Sequence, residues 1–212
     1  MRRWRRATPK TDECVRLDLT AYPSVAHVHW QIPWPAWACK GPDGGVHIDA
    51  RVGQIDIRVA EPPSDRFEIN WTRNFGVHVV ARRWLSELGD LIDGTSVFAG
   101  RLFCGSVELE RWATLTSIQP PPLRCTEGHF KRCSTCGSVH TVIWGKTFFD
   151  RAETEGRKIF VNQHGIFIHE AEWSARNLRA PEGSFRPSWV TERASPPAMR
   201  KNPFSERAGL DT

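Results

Sequence analysis

Apolar and polar residues alternate along much of the chain, with the period of two that half-buried β-strands show. The alternation predicts strands at 25–30 and 67–71, and a strand at 46–52 whose phase resets at Gly53 into a second strand at 55–59. A reset at glycine is typical of a hairpin or a β-bulge. Further strands are predicted at 96–103, 106–117, 140–144, 158–161 and 165–169.

Helical spacing is rarer than alternation in this sequence. The apolar residues of 77–88 recur every three or four positions, which predicts a helix that ends near Gly89. Shorter helices are expected within 146–155 and 170–178. Many strands with few helices predict the α+β class, with a mainly antiparallel sheet.

The composition is that of an ordinary folded domain. Of 212 residues, 40% are hydrophobic and 25% charged, which excludes a disordered chain, a collagen and a coiled coil. Charged residues interrupt every apolar run, so membrane insertion is not expected. The first ten residues lack the apolar core of a secretory signal, and we therefore expect a cytoplasmic protein.

The two ends differ in composition from the middle of the chain. We predict a flexible basic arm at 1–13, a single domain at 14–193 with a zinc-knuckle lobe at 123–141, and a disordered tail at 194–212. The net charge of +5 arises largely in the arm, from Arg2, Arg3, Arg5 and Arg6. Together with Trp4, these arginines could bind phosphates and stack on bases, or they could form a solubilising tail.

Candidate chemistry is concentrated in one short segment. Cys125, His129, Cys133, Cys136 and His140 lie within sixteen residues. A C-x2-C turn followed by glycine lets two thiolates converge on a zinc ion, which takes four ligands at tetrahedral angles. We predict a site formed by Cys125, His129, Cys133 and Cys136, with His140 as the alternative fourth ligand or as a residue that orients a ligand.

Four protein ligands would close the zinc coordination shell, so the predicted metal is structural and no catalytic residue is assigned. An open site with three ligands stays possible because His129 and His140 are interchangeable in sequence. Reduced buried thiols and a redox C-x-x-C pair are the alternatives to a metal site. A phosphate-binding glycine loop, a nucleophile elbow and a catalytic triad are all lacking.

The segment 133–137 (CSTCG), which follows a proline-rich connection and a tryptophan-bearing β region, resembles the second knuckle of bacterial double-CxxCG motif proteins. That family carries an earlier CxxCG near residue 40, where this chain has Cys39, Lys40 and Gly41 after Trp37. Some members of the family are similar to immunity proteins that neutralise contact-delivered toxins. The resemblance therefore implies a cytoplasmic protein whose partner is a toxin.

Two functions follow from these features. The first is a non-catalytic, zinc-stabilised module that binds another protein, such as a cognate toxin; the ten tryptophans fit a binding surface. The alternative is a zinc-containing nucleic-acid-binding protein or metal-dependent nuclease, which would use the arginine arm and the polar residues of 162–169.

Overall fold

The computed structural model describes residues 13–17, 36, 38–41, 46–65, 67–71, 77–181 and 188–193. These ranges contain thirteen strands: β1 (Glu13–Leu17), β2 (Ala38–Lys40), β3 (Val46–Ile48), β4 (Ile57–Val59), β5 (Ile69–Trp71), β6 (His78–Ala81), β7 (Val97–Cys104), β8 (Val107–Ser117), β9 (Arg124–Arg132), β10 (Val139–Asp150), β11 (Ile159–Asn162), β12 (Gly165–His169) and β13 (Ser188–Arg193). They also contain three short helices: α1 (Arg82–Leu88), α2 (Arg151–Thr154) and α3 (Glu170–Ala175). The predicted α+β class is confirmed.

The strands form two large sheets and one small one. The six-stranded sheet has the order β11-β12-β1-β13-β10-β9, the five-stranded sheet has the order β4-β7-β8-β6-β5, and β2 pairs with β3 alone. Neighbouring strands are antiparallel except for β10 with β13 and β4 with β7. The mainly antiparallel arrangement agrees with the prediction from sequence.

One hydrophobic core joins the two large sheets. Val80 and Leu115 of the five-stranded sheet pack in the same cluster as Ile159 and Ile166 of the six-stranded sheet, and Trp84 of α1 covers them. Each of these side chains is at most 1% exposed. Burial at that level stabilises the folded state by about 1.5–3 kcal/mol for each aliphatic side chain.

The prediction of a helix over 77–88 is wrong for the first part of this segment and correct for the second. Its first part is strand β6, which pairs with β5 and β8, and only Arg82–Leu88 is helical. All four side chains of β6 are buried, so both faces of this strand lie inside the protein and its sequence does not alternate between apolar and polar residues. Similarly, β10 continues to Asp150 through the first half of the segment 146–155, and only Arg151–Thr154 within that segment is helical. The strand expected at 25–30 lies outside the described residues.

The long hairpin β9–β10 and the small hairpin β2–β3 position the candidate site. The turn of β9–β10 carries the CSTCG segment, and the register runs from Val139 opposite Arg132 to Phe148 opposite Arg124. After β3, the backbone is attached to the end of β8 by the Gln119 N–H, which donates to the Ala50 carbonyl at 2.7 Å. None of the described helices is long and apolar enough to cross a membrane.

Candidate metal centre

The turn between β9 and β10 brings two thiols to one side. The Gly137 N–H donates to the Cys133 carbonyl at 2.8 Å, and the Cys133 N–H donates to the Ser138 carbonyl at 2.8 Å. Gly137 has a φ of +78°, in the left-handed region that glycine adopts without a steric penalty. This local geometry explains why the sequence pattern C-x2-C-G forms a tight knuckle with Cys133 and Cys136.

The second pair of donors comes from the small hairpin. Cys39 of β2 lies directly opposite His47 of β3 in the antiparallel ladder. Residues opposite each other in such a ladder point to the same face of the sheet, with Cβ atoms about 4.5–5.5 Å apart. The register of β2 with β3 therefore presents a thiol and an imidazole together.

The four side chains meet in one group. The donor atoms of Cys39, His47, Cys133 and Cys136 all lie within 4.8 Å of one another. The Cys39 Sγ is 4.0 Å from the Cys133 Sγ, and the His47 Nε2 is 3.3 Å from the Cys136 Sγ. A tetrahedral zinc ion with Zn–S bonds of about 2.3 Å and a Zn–N bond of about 2.0 Å requires S···S near 3.8 Å and N···S near 3.5 Å. The Cys39–Cys133 and His47–Cys136 distances are each within about 0.3 Å of these values, so the donor set could hold a metal ion.

Burial makes it energetically costly for the thiols of this group to ionise without a cation nearby. Each of the four residues is at most 7% exposed. Burial, together with hydrogen bonding and charge from the neighbouring Cys136 and Cys133, raises the pKa of the Cys39 thiol to about 12. For Cys133, burial also opposes ionisation, but hydrogen bonds from the backbone of Cys136 and Thr135 outweigh it and lower the pKa of the thiol. Several thiolates can coexist here only beside a positive ion.

Two arginines frame the group. Arg132 Nη1 donates to the Gly137 carbonyl at 3.2 Å, which braces the knuckle from the end of β9. Arg51 binds the Asp49 carboxylate, with Nε to Oδ1 at 2.8 Å. That hydrogen bond raises the pKa of the Arg51 guanidinium, and the charges of Cys136 and Cys39 raise it further. Arg51 thus lies within electrostatic reach of the sulfurs.

The structure combines two of the predicted ligands with two residues that were not predicted. Cys125 is fully buried in β9 opposite Thr147, eight residues before Cys133. At a rise of about 3.3 Å per residue, that separation along a strand is roughly 25 Å, so Cys125 is not part of the group. Its place and that of the predicted histidine are taken by Cys39 and His47.

The two predicted histidines belong to strands. The helical turn that would have brought Cys125 and His129 to one face is instead part of β9, in which four residues span about 13 Å. His129 lies opposite Val142, and His140 lies opposite Lys131. The side chains of His129 and His140 are outside the described part of the structure.

One sequence signal did point to Cys39. The Cys39-Lys40-Gly41 segment lies near position 40, where the resemblance to double-CxxCG proteins leads one to expect a first motif, and it has one thiol. No comparable signal marked His47, because a single histidine in a short alternating strand is typical of a solvent-facing position. Only the ladder register and the approach of the second hairpin reveal its role.

The sequence offered two other candidate segments, the arginine arm and the polar residues of 162–169. The arm residues Arg2, Arg3, Trp4, Arg5 and Arg6 lie outside the described residues. The segment 162–169 forms the turn and second strand of the β11–β12 hairpin, where Asn162 lies opposite Gly165. Asn162 uses its side chain within the fold, since Nδ2 donates to the Pro121 carbonyl at 3.0 Å and Oδ1 accepts from the His164 N–H at 2.8 Å.

The architecture and the donor group are the observations available for assigning a function. Comparison of the chain with models of known protein families and with curated proteins finds no match in either.

Proposed function

We propose that Cys39, His47, Cys133 and Cys136 bind one structural zinc ion. The observation that carries the proposal is the convergence of three buried thiols and one imidazole within 4.8 Å, from two hairpins about ninety residues apart. Soft sulfur donors with one imidazole favour zinc over magnesium, calcium or manganese, which prefer oxygen. Both the types of donor atom and the distances between them therefore fit a zinc ion.

The ligand count argues for a structural rather than a catalytic ion. Catalytic zinc sites typically use three protein ligands and keep a position for water, whereas four protein ligands complete a tetrahedron. In the part of the chain that the structure describes, no carboxylate joins the group. Three thiolates and a divalent ion give a net charge of −1, which the nearby Arg51 partly offsets.

We further propose that the zinc-stabilised module acts by binding a protein, as an immunity protein that neutralises a bacterial toxin. This step is supported by the resemblance of the CSTCG knuckle and the Cys39 segment to the double-CxxCG family, and by the spatial proximity of these two segments. Neutralisation by occlusion requires a rigid scaffold and no catalytic residues. A metal that attaches two hairpins to each other supplies such rigidity.

The metal assignment is tested by counting zinc in purified protein. We expect about one zinc per chain by mass spectrometric metal analysis, and less than roughly a fifth of that in Cys39→Ser and Cys133→Ser, because each removes a thiolate ligand. Cobalt substitution should give the charge-transfer absorption of thiolate coordination. Thermal unfolding of Cys133→Ser should occur at a lower temperature, since metal binding adds to the free energy of unfolding.

Two further cysteines supply the controls. Cys104→Ser should retain the metal, because this part-buried thiol donates to the Ala60 carbonyl in another part of the fold. Cys125→Ser distinguishes the proposed ligand set from the set predicted from sequence, which includes Cys125. We expect this variant to retain the metal as well. Loss of zinc in Cys125→Ser with retention in Cys39→Ser would contradict the proposed ligand set.

The immunity role is tested by co-expression with the product of the neighbouring gene. We expect that product to arrest growth when expressed alone, and growth to return when this chain is co-expressed. The Cys133→Ser variant should protect less well, because the scaffold is loosened. A neighbouring product that is harmless, or protection that requires nucleic-acid binding, would argue against the role.

A further inference from the structure

A cavity of about 450 Å³ lies beside the candidate metal centre, and His47 of that centre forms part of its wall. Its walls come from the knuckle, the segment that follows β8, the start of α2 and the β11–β12 turn; they include Ser138, Pro121, Ala152, Arg157 and Gln163. This volume falls within the range of small-molecule sites, about 300–1,000 Å³. The cavity therefore has room for a compact organic ligand.

The cavity walls are held by hydrogen bonds between distant segments. Ser117 at the end of β8 accepts from the Val161 N–H at 2.8 Å, and Asn162 donates to the Pro121 carbonyl at 3.0 Å. Three consecutive prolines, 120–122, form one wall, with Leu123 after them. Proline has a fixed φ and loses little freedom on folding, so this apolar wall is preformed.

Arg157 contributes a part-buried positive charge to the cavity wall. It follows the turn after α2, and its Nη1 donates to the Ile118 carbonyl at 3.3 Å. Burial lowers the pKa of this guanidinium, and the charge of Asp93 compensates only in part. Within the described ranges, no carboxylate is within ion-pair distance of Arg157. A guanidinium carries five N–H donors in a planar fork, so Arg157, which lines the cavity, has donors beyond its hydrogen bond to Ile118 to offer an anion.

The remaining charges of the cavity do not neutralise Arg157. Asp93 is itself occupied, since its carboxylate accepts from the N–H groups of Thr95 and Ser96 at 2.8 Å. Glu153 is the one carboxylate among the described lining residues, and it is bound by Arg124 Nη2 at 2.8 Å. Arg132 adds a second positive charge to the wall nearest the knuckle.

We propose that this cavity binds a small organic anion, with a carboxylate or phosphate group on Arg157 and an apolar part against the 120–123 wall. A part-buried cation with donors to spare attracts an oxyanion more strongly than an exposed one, because water screens the interaction less. The anion would bind through Arg157 and not through the proposed zinc ligands, of which His47 also lines the cavity, and the proposal does not depend on the immunity role.

The test is a titration of the full-length protein with phenyl phosphate and benzoate, followed by NMR or calorimetry. At least one of the two should bind saturably with a Kd of about 1 mM or below. Benzyl alcohol, which has the ring without the charge, should bind at least about tenfold more weakly, as expected when charge-assisted hydrogen bonds are lost. Inorganic phosphate should bind more weakly than phenyl phosphate, because it makes no contact with the apolar wall.

Variants assign the binding to the cavity. Arg157→Gln should weaken binding at least about tenfold through loss of the cation. The matched control is Arg58→Gln, which removes the same charge from an exposed position on β4 and should change the Kd less than about twofold. Ala152→Glu places a carboxylate at the cavity from an exposed position and should also weaken binding by repulsion.

One set of affinities supports the proposed anion site, and two other results would overturn it. Weaker binding in Arg157→Gln and Ala152→Glu, with Arg58→Gln unchanged, supports the site. No saturable binding of either anion up to about 10 mM, or equal affinities in the wild type and Ala152→Glu, would overturn it. Thermal unfolding identifies any variant that does not fold. If Arg157→Gln does not fold, the affinity of Ala152→Glu decides between the two outcomes. Ala152→Glu should fold, because the N–H of residue 152 can still donate to the Asp150 carboxylate.

Discussion

At the scale of the residue, Glu68 shows how a charge is kept inside this protein. Its side chain is 1% exposed, and its carboxylate accepts from Arg83 Nε at 2.7 Å and from Arg179 Nη2 at 2.8 Å. Arg179 also binds Glu87 at 2.7 Å. Both arginines are about half exposed, so they neutralise the carboxylate while their own charges remain partly hydrated.

Replacing Glu68 by glutamine tests this arrangement. The amide keeps the size of the side chain but removes its charge, and one of its N–H groups would face an arginine donor. We expect the free energy of unfolding to fall by about 1–3 kcal/mol, the cost of disrupting a buried charged hydrogen bond. Urea unfolding measures this change.

The control for Glu68→Gln is Asp65→Asn. Asp65 pairs with Arg111 at 3.1 Å, but both side chains are about two thirds exposed or more. An exposed pair contributes at most about 1 kcal/mol, so this variant should be close to the wild type. Equal losses in the two variants would mean that burial of Glu68 does not determine its importance.

At the scale of the element, β7 depends on a close backbone approach. Gly100 lies in the middle of β7, and a Cβ atom there would overlap the Ile55 carbonyl oxygen and the Thr114 Oγ1. Thr114 Oγ1 also donates to that same carbonyl. The segment before β4 is thus held against the sheet at a point where only glycine fits.

We therefore expect Gly100→Ala to lower the free energy of unfolding by about 2–4 kcal/mol, as overpacking against backbone atoms does. Gly105→Ala is the matched control, since a Cβ there meets open space and only the φ of +60° opposes it. Its cost should be about 1–2 kcal/mol. Denaturant unfolding of both variants tests the order, and an equal or larger loss in Gly105→Ala would contradict the proposed overlap.

At the scale of the whole molecule, the candidate metal centre and the main core are distinct. The core that includes Val80 and Leu115 joins the two large sheets, whereas the four candidate ligands form a separate buried group between the β2–β3 hairpin and the β9–β10 turn. Removal of the metal should therefore release the two hairpins from each other before it affects the core.

Hydrogen exchange after chelation of zinc measures this order. Amides of 38–41, 46–52 and 133–139 should exchange within about a minute in the chelated protein and much more slowly in the zinc-loaded one. Amides of β6 and β8, such as those of Val79, Val80 and Leu115, should stay protected for about an hour in both. Equal loss of protection throughout would mean that the metal supports the global fold instead of the hairpin junction.

Local sequence features determined much of this protein. The strands β7, β8, β11 and β12 were predicted to within a few residues, and β11 and β12 are rich in the β-branched and aromatic residues that favour strands. The C-x2-C-G spacing predicted the paired thiols of Cys133 and Cys136, since that knuckle is closed by hydrogen bonds within six residues. The prediction failed for β6, where burial on both faces removes the alternation of apolar and polar residues and leaves apolar residues at helical spacing.

The tertiary structure alone decided which residues complete the donor group. Cys39 lies 94 residues from Cys133, and His47 lies 89 residues from Cys136. Their meeting depends on the register of β2 with β3 and on where this hairpin packs against the β9–β10 turn. Spacing along the chain shows which ligands share a turn, but ligands from distant strands come together only through the packing of the whole fold, which no local pattern encodes.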